Sequence, residues 1–220
     1  GEAQPKLPLT VRTNTEGLLT KRYWLEADGS IGRDTRAFLS VGQAEHVDVD
    51  GLWDLAARLE DLQPRQAVAY GVTGKARAAI VTRDVLHERP GAIARTRDFF
   101  AYPAGPAIMM LDHDAHHATS PASRDELHSR VVRACPELVG APMLWRASAS
   151  SCIENAATGT VLQGLRGQRL YLPISDGSDM LRAGRALYER LWLAGEGRYV
   201  IGKDGSLLDR NLIDGSGWQP

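Results

Sequence analysis

The apolar run Ile108-Met109-Met110-Leu111 predicts a β-strand that is buried in a core. The run continues directly into Asp112-His113-Asp114, so polar side chains stand where the strand leaves that core. Proteins built from strands and helices commonly place their chemistry at such strand ends. We therefore expect a functional site at the end of this strand.

The segments after this strand alternate between helix and strand patterns. Ser123 and Glu126 form an S-x-x-E capping box, which predicts a helix start. The period-two segments 144–155 and 166–175 predict a hairpin, and a further helix follows Ser178 and ends at Gly195. The chain closes with a hairpin whose turn is residues 203–205. The resulting order of strand, helix, strand, strand, helix, strand is close to the βαββαβ arrangement of ferredoxin-like and RNA-recognition-type folds.

The first ninety residues carry weaker patterns. An apolar stripe with helical spacing predicts a packing helix after Asp50, which is a plausible N-cap. Short β-like runs follow at 67–73, 76–86 and 96–102. We expect an α+β protein in which an N-terminal α/β module, residues 1–93, packs on an RNA-recognition-like half, residues 94–220, as one domain.

Composition argues against a membrane protein, a secreted protein and a cysteine-based zinc site. The chain has 220 residues, 43% hydrophobic residues and a net charge of -1, which is ordinary for a globular protein. We expect a cytoplasmic protein without membrane contact, because no apolar stretch approaches a bilayer span and the N-terminus lacks signal-peptide features. Cys135 and Cys152 lack zinc-ligand spacing. Because the chain begins with Gly1 and not with Met, we expect a trimmed or processed start. Because it stops at Pro220, we expect a domain cut from a longer protein.

A basic stretch leaves two interpretations open. Six basic residues against two acidic ones lie between Lys75 and Arg97. They are either a solvated strand face or a groove for phosphates. The basic residues are Lys75, Arg77, Arg83, Arg89, Arg95 and Arg97.

The two aspartates after the buried strand are suited to metal binding. On a strand Asp112 and Asp114 share a face, about 7 Å apart at the Cα atoms, while His113 points the other way. Two unpaired carboxylates repel each other, and a hard divalent cation such as Mg²⁺ or Mn²⁺ relieves that repulsion. The alternative is that both aspartates cap the following loop. His116 and His117 are most simply solvated loop residues.

A third acid completes the pattern. Leu212 and Ile213 are followed by Asp214, which repeats an apolar run that ends in Asp. In a βαββαβ sheet the strand carrying Asp112 and the strand carrying Asp214 can lie side by side. Three carboxylates would then meet at one point.

These segments resemble the motifs of the archaeo-eukaryotic primase superfamily, in particular the primase-polymerases of phages and plasmids. The family motifs are an apolar strand ending in D-x-D or D-x-E, a small residue followed two positions later by His, and an apolar pair followed by Asp. The matching segments here are MMLDHD, GQRLYL and LIDGSGW, and the resemblance covers residues 94–220.

The resemblance implies a DNA primase-polymerase acting in the replication of mobile genetic elements. Asp112, Asp114 and Asp214 would be catalytic and hold two Mg²⁺ or Mn²⁺ ions. The enzyme would join a 3′-hydroxyl to the α-phosphate of an incoming (d)NTP and release pyrophosphate. Gly167, Arg169 and Arg166 would bind the nucleotide. DNA template and primer would be the partners, with a helicase module in the full-length protein.

One departure from the family pattern keeps other functions open. Arg169 stands where the family has His; an arginine can grip a triphosphate but cannot titrate near neutral pH. A catalytically impaired nucleotide- or nucleic-acid-binding module is therefore an alternative. A D-x-D nucleotide-sugar glycosyltransferase is another, although no nucleotide-binding βαβ unit opens the chain. Ser148, Ser150 and Ser151 could line the site, but a serine-rich strand is most simply an exposed one.

Overall fold

The computed structural model describes residues 5–34, 38–114, 121–218 and 220. Helices and strands are both well represented in these ranges, so the predicted α+β class is confirmed. The α-helices are α1 (Gly51–Glu60), α2 (Arg124–Ala134) and α3 (Met180–Leu193), and short 3-10 helices span Arg83–Glu88, Pro136–Leu138 and Gly177–Asp179. The strands are β1 (Lys6–Asn14), β2 (Arg22–Leu25), β3 (Ile31–Asp34), β4 (Val41–Asp50), β5 (Gln66–Ala69), β6 (Arg77–Val81), β7 (Ile93–Ala94), β8 (Ala107–His113), β9 (Leu144–Ala147), β10 (Ile153–Glu154), β11 (Val161–Gln163), β12 (Gln168–Ile174), β13 (Arg198–Ile201) and β14 (Leu207–Arg210).

The N-terminal part of the chain builds a five-stranded sheet. Its order is β5-β1-β4-β6-β7, antiparallel except for the parallel pair β6 and β7. The two longest strands, β1 and β4, lie at its centre, and the sequence patterns predict neither of them. The β-like run 96–102 does not form a strand; only Ala101 makes an isolated bridge, to Val72.

A three-stranded antiparallel sheet with the order β9-β12-β8 forms the second part. On one face, Met109 and Leu111 join a core cluster with residues of α2 and α3. On the opposite face, Ile108 and Tyr171 join a cluster with α1 and the five-stranded sheet. The apolar run is thus buried on both faces, which confirms the predicted buried strand.

The helix starts show how local chemistry sets the boundaries. Ser123 Oγ accepts a hydrogen bond from the Glu126 N–H at 3.2 Å, so the predicted cap of α2 is confirmed. Asp50 is the N-cap residue of α1, as predicted, but its side chain makes no capping hydrogen bond. There, Asp54 Oδ2 accepts a hydrogen bond from the Asp50 N–H at 2.9 Å. None of the described helices is both long and apolar enough to cross a membrane.

The hairpin predictions are confirmed in different degrees. β13 and β14 pair across the predicted turn, where Gly205 adopts a positive φ of 81°. β9 and β12 pair as the period-two segments predict, but a second small hairpin, β10 and β11, lies between them. β14 ends at Arg210, so Asp214 lies in a turn and not on the predicted strand.

The predicted division at residue 93 stays a prediction. Ile93 and Phe100, from either side of that position, pack in the same cluster on the outer face of the five-stranded sheet.

Candidate active site

Two of the three predicted motifs lie on neighbouring strands. β8 and β12 pair antiparallel, and the register places Arg169 opposite Asp112. Alternation along these strands puts Asp112 on the face of Ile108 and Arg169 on the face of Tyr171. Because Ile108 and Tyr171 pack toward the five-stranded sheet, Asp112 and Arg169 lie on the face between the two sheets.

The third motif lies beside the free edge of β8. The Asp214 N–H donates a hydrogen bond to the Asp112 carbonyl oxygen at 2.7 Å. A Cβ added to Gly217 would lie 2.8 Å from the Met110 carbonyl oxygen, so only glycine permits this approach to the strand. Trp218 anchors the same turn, since its ring packs on Gly184 of α3. The turn therefore holds the backbone of Asp214 against Asp112.

The carboxylate of Asp112 is in an unfavourable electrostatic environment. Its side chain is only 24% exposed. Burial raises the pKa of Asp112, and the nearby charges of Asp114 and Asp214 raise it further, while Arg169 opposes them. Asp114 and Asp214 are therefore close enough to Asp112 to act on its carboxyl group.

Arg169 is the positive partner in this cluster. Its Nε lies 3.4 Å from Asp112 Oδ1, which is a long contact for a charged hydrogen bond. Burial lowers the pKa of Arg169, but Asp112 and the hydroxyls of Tyr171 and Tyr70 outweigh burial, and the net pKa is raised. Arg169 is thus a permanent positive charge at the position where the family has His.

Gly167 provides the space for Asp114. A Cβ added to Gly167 would lie 2.9 Å from Asp114 Oδ1 and closer still to Ser148 Oγ. Any larger residue would displace the carboxylate or the hydroxyl. The small residue of the middle motif therefore leaves the room in which the Asp114 carboxylate and the Ser148 hydroxyl now lie.

The serines before β10 are positioning residues for this motif, and the expectation of an exposed serine-rich strand is wrong. Ser148 and Ser151 are buried in a turn that follows β9. Ser151 Oγ donates to the Gly167 carbonyl oxygen at 2.7 Å and accepts from the Arg166 N–H at 2.9 Å. The hydroxyl spacing alone does not reveal this role, because the partner backbone is fifteen residues away.

Two neighbouring polar residues are structural. Gln168 is fully buried; its amide donates to the Ala122 carbonyl oxygen at 2.7 Å and accepts from Trp145 Nε1 at 2.8 Å. His113 points away from the cluster, as predicted, and its Nδ1 donates to the Leu212 carbonyl oxygen at 2.6 Å. That contact helps to position the turn that carries Asp214.

The donor set has the chemistry for a divalent cation. Asp112, Asp114 and Asp214 offer the carboxylate oxygens that Mg²⁺ and Mn²⁺ prefer, and their mutual repulsion would be relieved by a cation. In the described ranges, however, no group of three or more His, Cys, Asp or Glu side chains is arranged to hold a metal ion. The side chains would have to move together to complete a site. His116 and His117 lie outside the described residues.

Two cavities are lined by residues of the candidate site. One, the intermodule cavity, has a volume of about 570 Å³ and is lined by Arg169, Tyr171 and Met110 of the three-stranded sheet and by Leu59 and Tyr70 of the N-terminal part, among others. A second, of about 350 Å³, is lined by Asp214 together with Arg97, Arg185 and Arg210. Both have dimensions that suit small ligands.

The basic residues between Lys75 and Arg97 do not all lie in one kind of environment, so neither a solvated strand face nor a phosphate groove describes all of them. Lys75 Nζ donates to the Gly91 carbonyl oxygen at 2.9 Å, and Arg77 pairs with Glu45 at 3.0 Å, so these two make local contacts on an exposed surface. Arg97 instead lines the cavity that contains Asp214. The phosphate-groove interpretation stays a prediction.

No family model, curated protein or solved structure matches this chain. The site's own geometry therefore carries the functional argument.

Proposed function

We propose that this chain is a metal-dependent nucleotidyltransferase that extends a nucleic acid strand on a template, of the primase-polymerase type. One observation carries the proposal: segments far apart in the sequence bring Asp112, Arg169 and Asp214 to one end of β8, through the β8–β12 register and the Asp214–Asp112 hydrogen bond. This is the convergence that the primase resemblance requires.

The arrangement of strands supports the same proposal. The order β9-β12-β8 matches the first three strands of a βαββαβ unit. The turn of Asp214 lies along the free edge of β8, where the fourth strand of such a unit would run. Both α2 and α3 contribute to the core on one face of the sheet, which leaves the opposite face to the acids and to Arg169.

In this proposal Asp112, Asp114 and Asp214 hold two Mg²⁺ or Mn²⁺ ions. Bound there, such ions supply Lewis-acid stabilisation of an in-line displacement at the α-phosphate. The chain's own groups have distinct roles: Arg169 supplies a fixed positive charge for the triphosphate, and Gly167 leaves the room that Asp114 needs. The arginines beside Asp214 are suited to the backbone of a DNA template and primer.

The test is extension of a primed template, and unprimed synthesis, with labelled nucleotides and Mg²⁺ or Mn²⁺. We expect incorporation by the wild-type chain and a loss of about 10³-fold or more in Asp112→Ala, since a metal ligand contributes several kcal/mol to the barrier. The matched control is Asp98→Ala, which removes an exposed aspartate and should leave the rate unchanged. Equal incorporation by wild type and Asp112→Ala would refute the proposal.

A second candidate, a nucleotide- or nucleic-acid-binding module without catalysis, is favoured by the contact between Arg169 and Asp112. A positive charge 3.4 Å from a metal-ligand oxygen competes with a cation for that oxygen. Arg169→His separates the candidates. Nucleotide binding by the wild-type chain without incorporation, and incorporation gained in Arg169→His, would support the binding module.

A further inference from the structure

A groove, here called the edge groove, follows the outer edge of the three-stranded sheet. β9 is the edge strand, and in the described part of the chain no strand pairs with its other side. The edge groove has a volume of about 560 Å³ and lies between α1 and α2, which pack on opposite faces of the sheet. It is lined by Leu52 and Trp53 of α1, Arg124 and Asp125 of α2, and Leu144 and Trp145 of β9, among others.

The backbone of β9 offers hydrogen bonds to this groove. The Ser148 N–H donates to the Gly167 carbonyl oxygen at 2.9 Å, so these residues form a hydrogen-bonded pair in line with the β9–β12 ladder. Such pairs alternate with non-bonded pairs along an antiparallel ladder. The N–H and carbonyl of Arg146 therefore point to β12, and those of Trp145 and Ala147 point outward. Outward groups on an open edge are suited to pair with another extended strand.

Trp53 gives the edge groove an exposed apolar wall. The neighbouring Leu55 buries its side chain completely, whereas 87% of Trp53 is exposed. Leu52 and Leu144, which also line the groove, are only partly buried. Tryptophan is enriched among the residues that carry most of the binding energy at protein interfaces. A strand added beside β9 would bring its neighbouring elements against this apolar wall.

Exposed charges at the edge groove indicate where such a strand comes from. Arg124 and Asp125 are adjacent at the start of α2, with 64% and 83% of their side chains exposed. When two copies meet about a twofold axis, a residue that contacts a second residue of the other copy is itself repeated on the other side. Arg124 of each copy can then pair with Asp125 of the other. The groove is thus complementary in charge to a second copy of itself.

We infer that the edge groove is a self-association surface, in which β9 pairs antiparallel with β9 of a second copy of this chain. The two three-stranded sheets then form one six-stranded sheet, with both α1 helices on one face and both α2 helices on the other. A register centred on Trp145 places Leu144 opposite Arg146 of the second copy. This register keeps the two Arg146 side chains apart, since like charges directly opposite each other destabilise a strand pair.

Sedimentation velocity over a wide range of protein concentration tests the inference. We expect the wild-type chain to dimerise, and Trp53→Arg to raise the dissociation constant of the dimer about tenfold or more, because it places a charge in the apolar wall. Trp53 is almost fully exposed, so this variant should fold. Leu193→Arg is the matched control, since Leu193 is similarly exposed, at 89%, but lies at the end of α3. It should dimerise as wild type does.

A second variant tests the strand pairing itself. Ala147→Pro removes an N–H that points away from β12, and proline is tolerated on edge strands at such positions. The monomer should keep its circular dichroism spectrum, while the dissociation constant of the dimer should rise about tenfold or more because the edge loses a donor and gains a bulky ring.

Charge reversal distinguishes a second copy from any other partner. Arg124→Asp gives each copy two adjacent acids, and Asp125→Arg gives each copy two adjacent arginines. Each variant alone should have a dissociation constant about threefold or more above that of wild type, the size expected for exposed ion pairs. An equimolar mixture should recover the wild-type affinity, because the acids of one variant then face the arginines of the other.

A wild-type chain that stays monomeric at every concentration would overturn the inference and leave the edge groove to a strand of another protein. A dimer that neither Trp53→Arg nor Ala147→Pro weakens would overturn it too, as would a mixture no more dimeric than either charge variant. The inference is independent of the proposed function, since the three acids of the candidate site are not among the residues that line the edge groove. A monomer that incorporates nucleotides refutes only self-association, and a dimer without incorporation refutes only the catalytic proposal.

Discussion

Glu196 and Arg12 are equally buried, with 8% of each residue exposed, but their partners differ completely. Glu196 follows α3 and is held by two arginines of α2. Arg130 Nε lies 3.0 Å from both of its carboxylate oxygens, and an Arg133 guanidinium nitrogen lies 2.6 Å from Oε1. Arg12 differs, because its Nε has no hydrogen-bond partner among the described residues, and the charge that acts on its pKa, Arg95, is also positive.

The difference in partners separates buried charges that stabilise the fold, such as Glu196, from buried charges that do not, such as Arg12. A buried carboxylate with two positive partners ties α2 to the end of α3 and stabilises the fold. A buried charge without a partner costs stability. Asp112 lies between these cases, with one long contact to Arg169 and two like charges nearby. The comparison can be tested by neutralising each group in turn.

The largest effect is expected at Glu196. Glu196→Gln removes the charge that compensates Arg130 and Arg133. Because these arginines are themselves partly and largely exposed, the expected cost is about 1.5–3 kcal/mol, the range for lost hydrogen bonds to a charged group. Chemical denaturation measures the change in the free energy of unfolding. Glu189→Gln, an exposed glutamate of α3, should change it by less than about 0.5 kcal/mol. A loss below about 1 kcal/mol in Glu196→Gln would make Glu196 an ordinary surface ion pair.

The same carboxylate should give the stability a defined pH dependence. The hydrogen bond from Arg130 lowers the pKa of Glu196 from its ordinary value of 4.5, against the effect of burial. A lowered folded-state pKa gives stability that is present above pH 4.5 and is lost as the pH falls through the folded-state pKa. The free energies of unfolding of wild type and Glu196→Gln should therefore converge below pH 4.5. A difference that stays constant from pH 7 to pH 3 would contradict this assignment.

The sequence predicts the parts of this molecule that depend on local chemistry. The buried strand before Asp112, the capping box at Ser123 and the turn at Gly205 are each set by a few adjacent residues, and all three are confirmed. The two central strands of the five-stranded sheet are not predicted. In β1 the polar residues Thr10 and Arg12 are as buried as the apolar ones, so polarity does not alternate with exposure.

The candidate site is predictable only in its residue types. Asp112 and Asp214 stand out because each follows an apolar run, but the turn that fixes Asp214 depends on Gly217 and Trp218, which carry no such signal. Arg12 is likewise invisible in the sequence. Its burial and its unpartnered Nε depend on contacts between strands far apart in the chain, which only the tertiary structure reveals.

Neutralising Arg12 should change the free energy of unfolding in the opposite direction to Glu196→Gln. Arg12→Met replaces a buried guanidinium, whose Nε has no partner among the described residues, with an apolar side chain, so the protein should gain about 1 kcal/mol in the free energy of unfolding. Chemical denaturation measures this gain, and Arg198→Met, which removes an exposed arginine on β13, should be neutral. A loss of more than about 1 kcal/mol would mean that Arg12 has a stabilising partner in the free protein, which would place it beside Glu196 in the comparison.

The smallest effect is expected at Asp112 and depends on metal. Burial and the charges of Asp114 and Asp214 raise the pKa of Asp112, so ionisation at neutral pH destabilises the folded state. Asp112→Asn keeps the shape and removes the charge, and without divalent metal it should raise the free energy of unfolding by less than about 1 kcal/mol. Thermal unfolding with EDTA measures this gain, which should shrink as the pH falls and the wild-type carboxyl becomes protonated.

Added Mn²⁺ should raise the melting temperature of wild type but not of Asp112→Asn, because only the carboxylate is a metal ligand. The order of stability of the two proteins then reverses with metal. If Asp112→Asn is instead less stable with EDTA, the contact with Arg169 outweighs the repulsion, and Asp112 belongs with Glu196 as a structural charge.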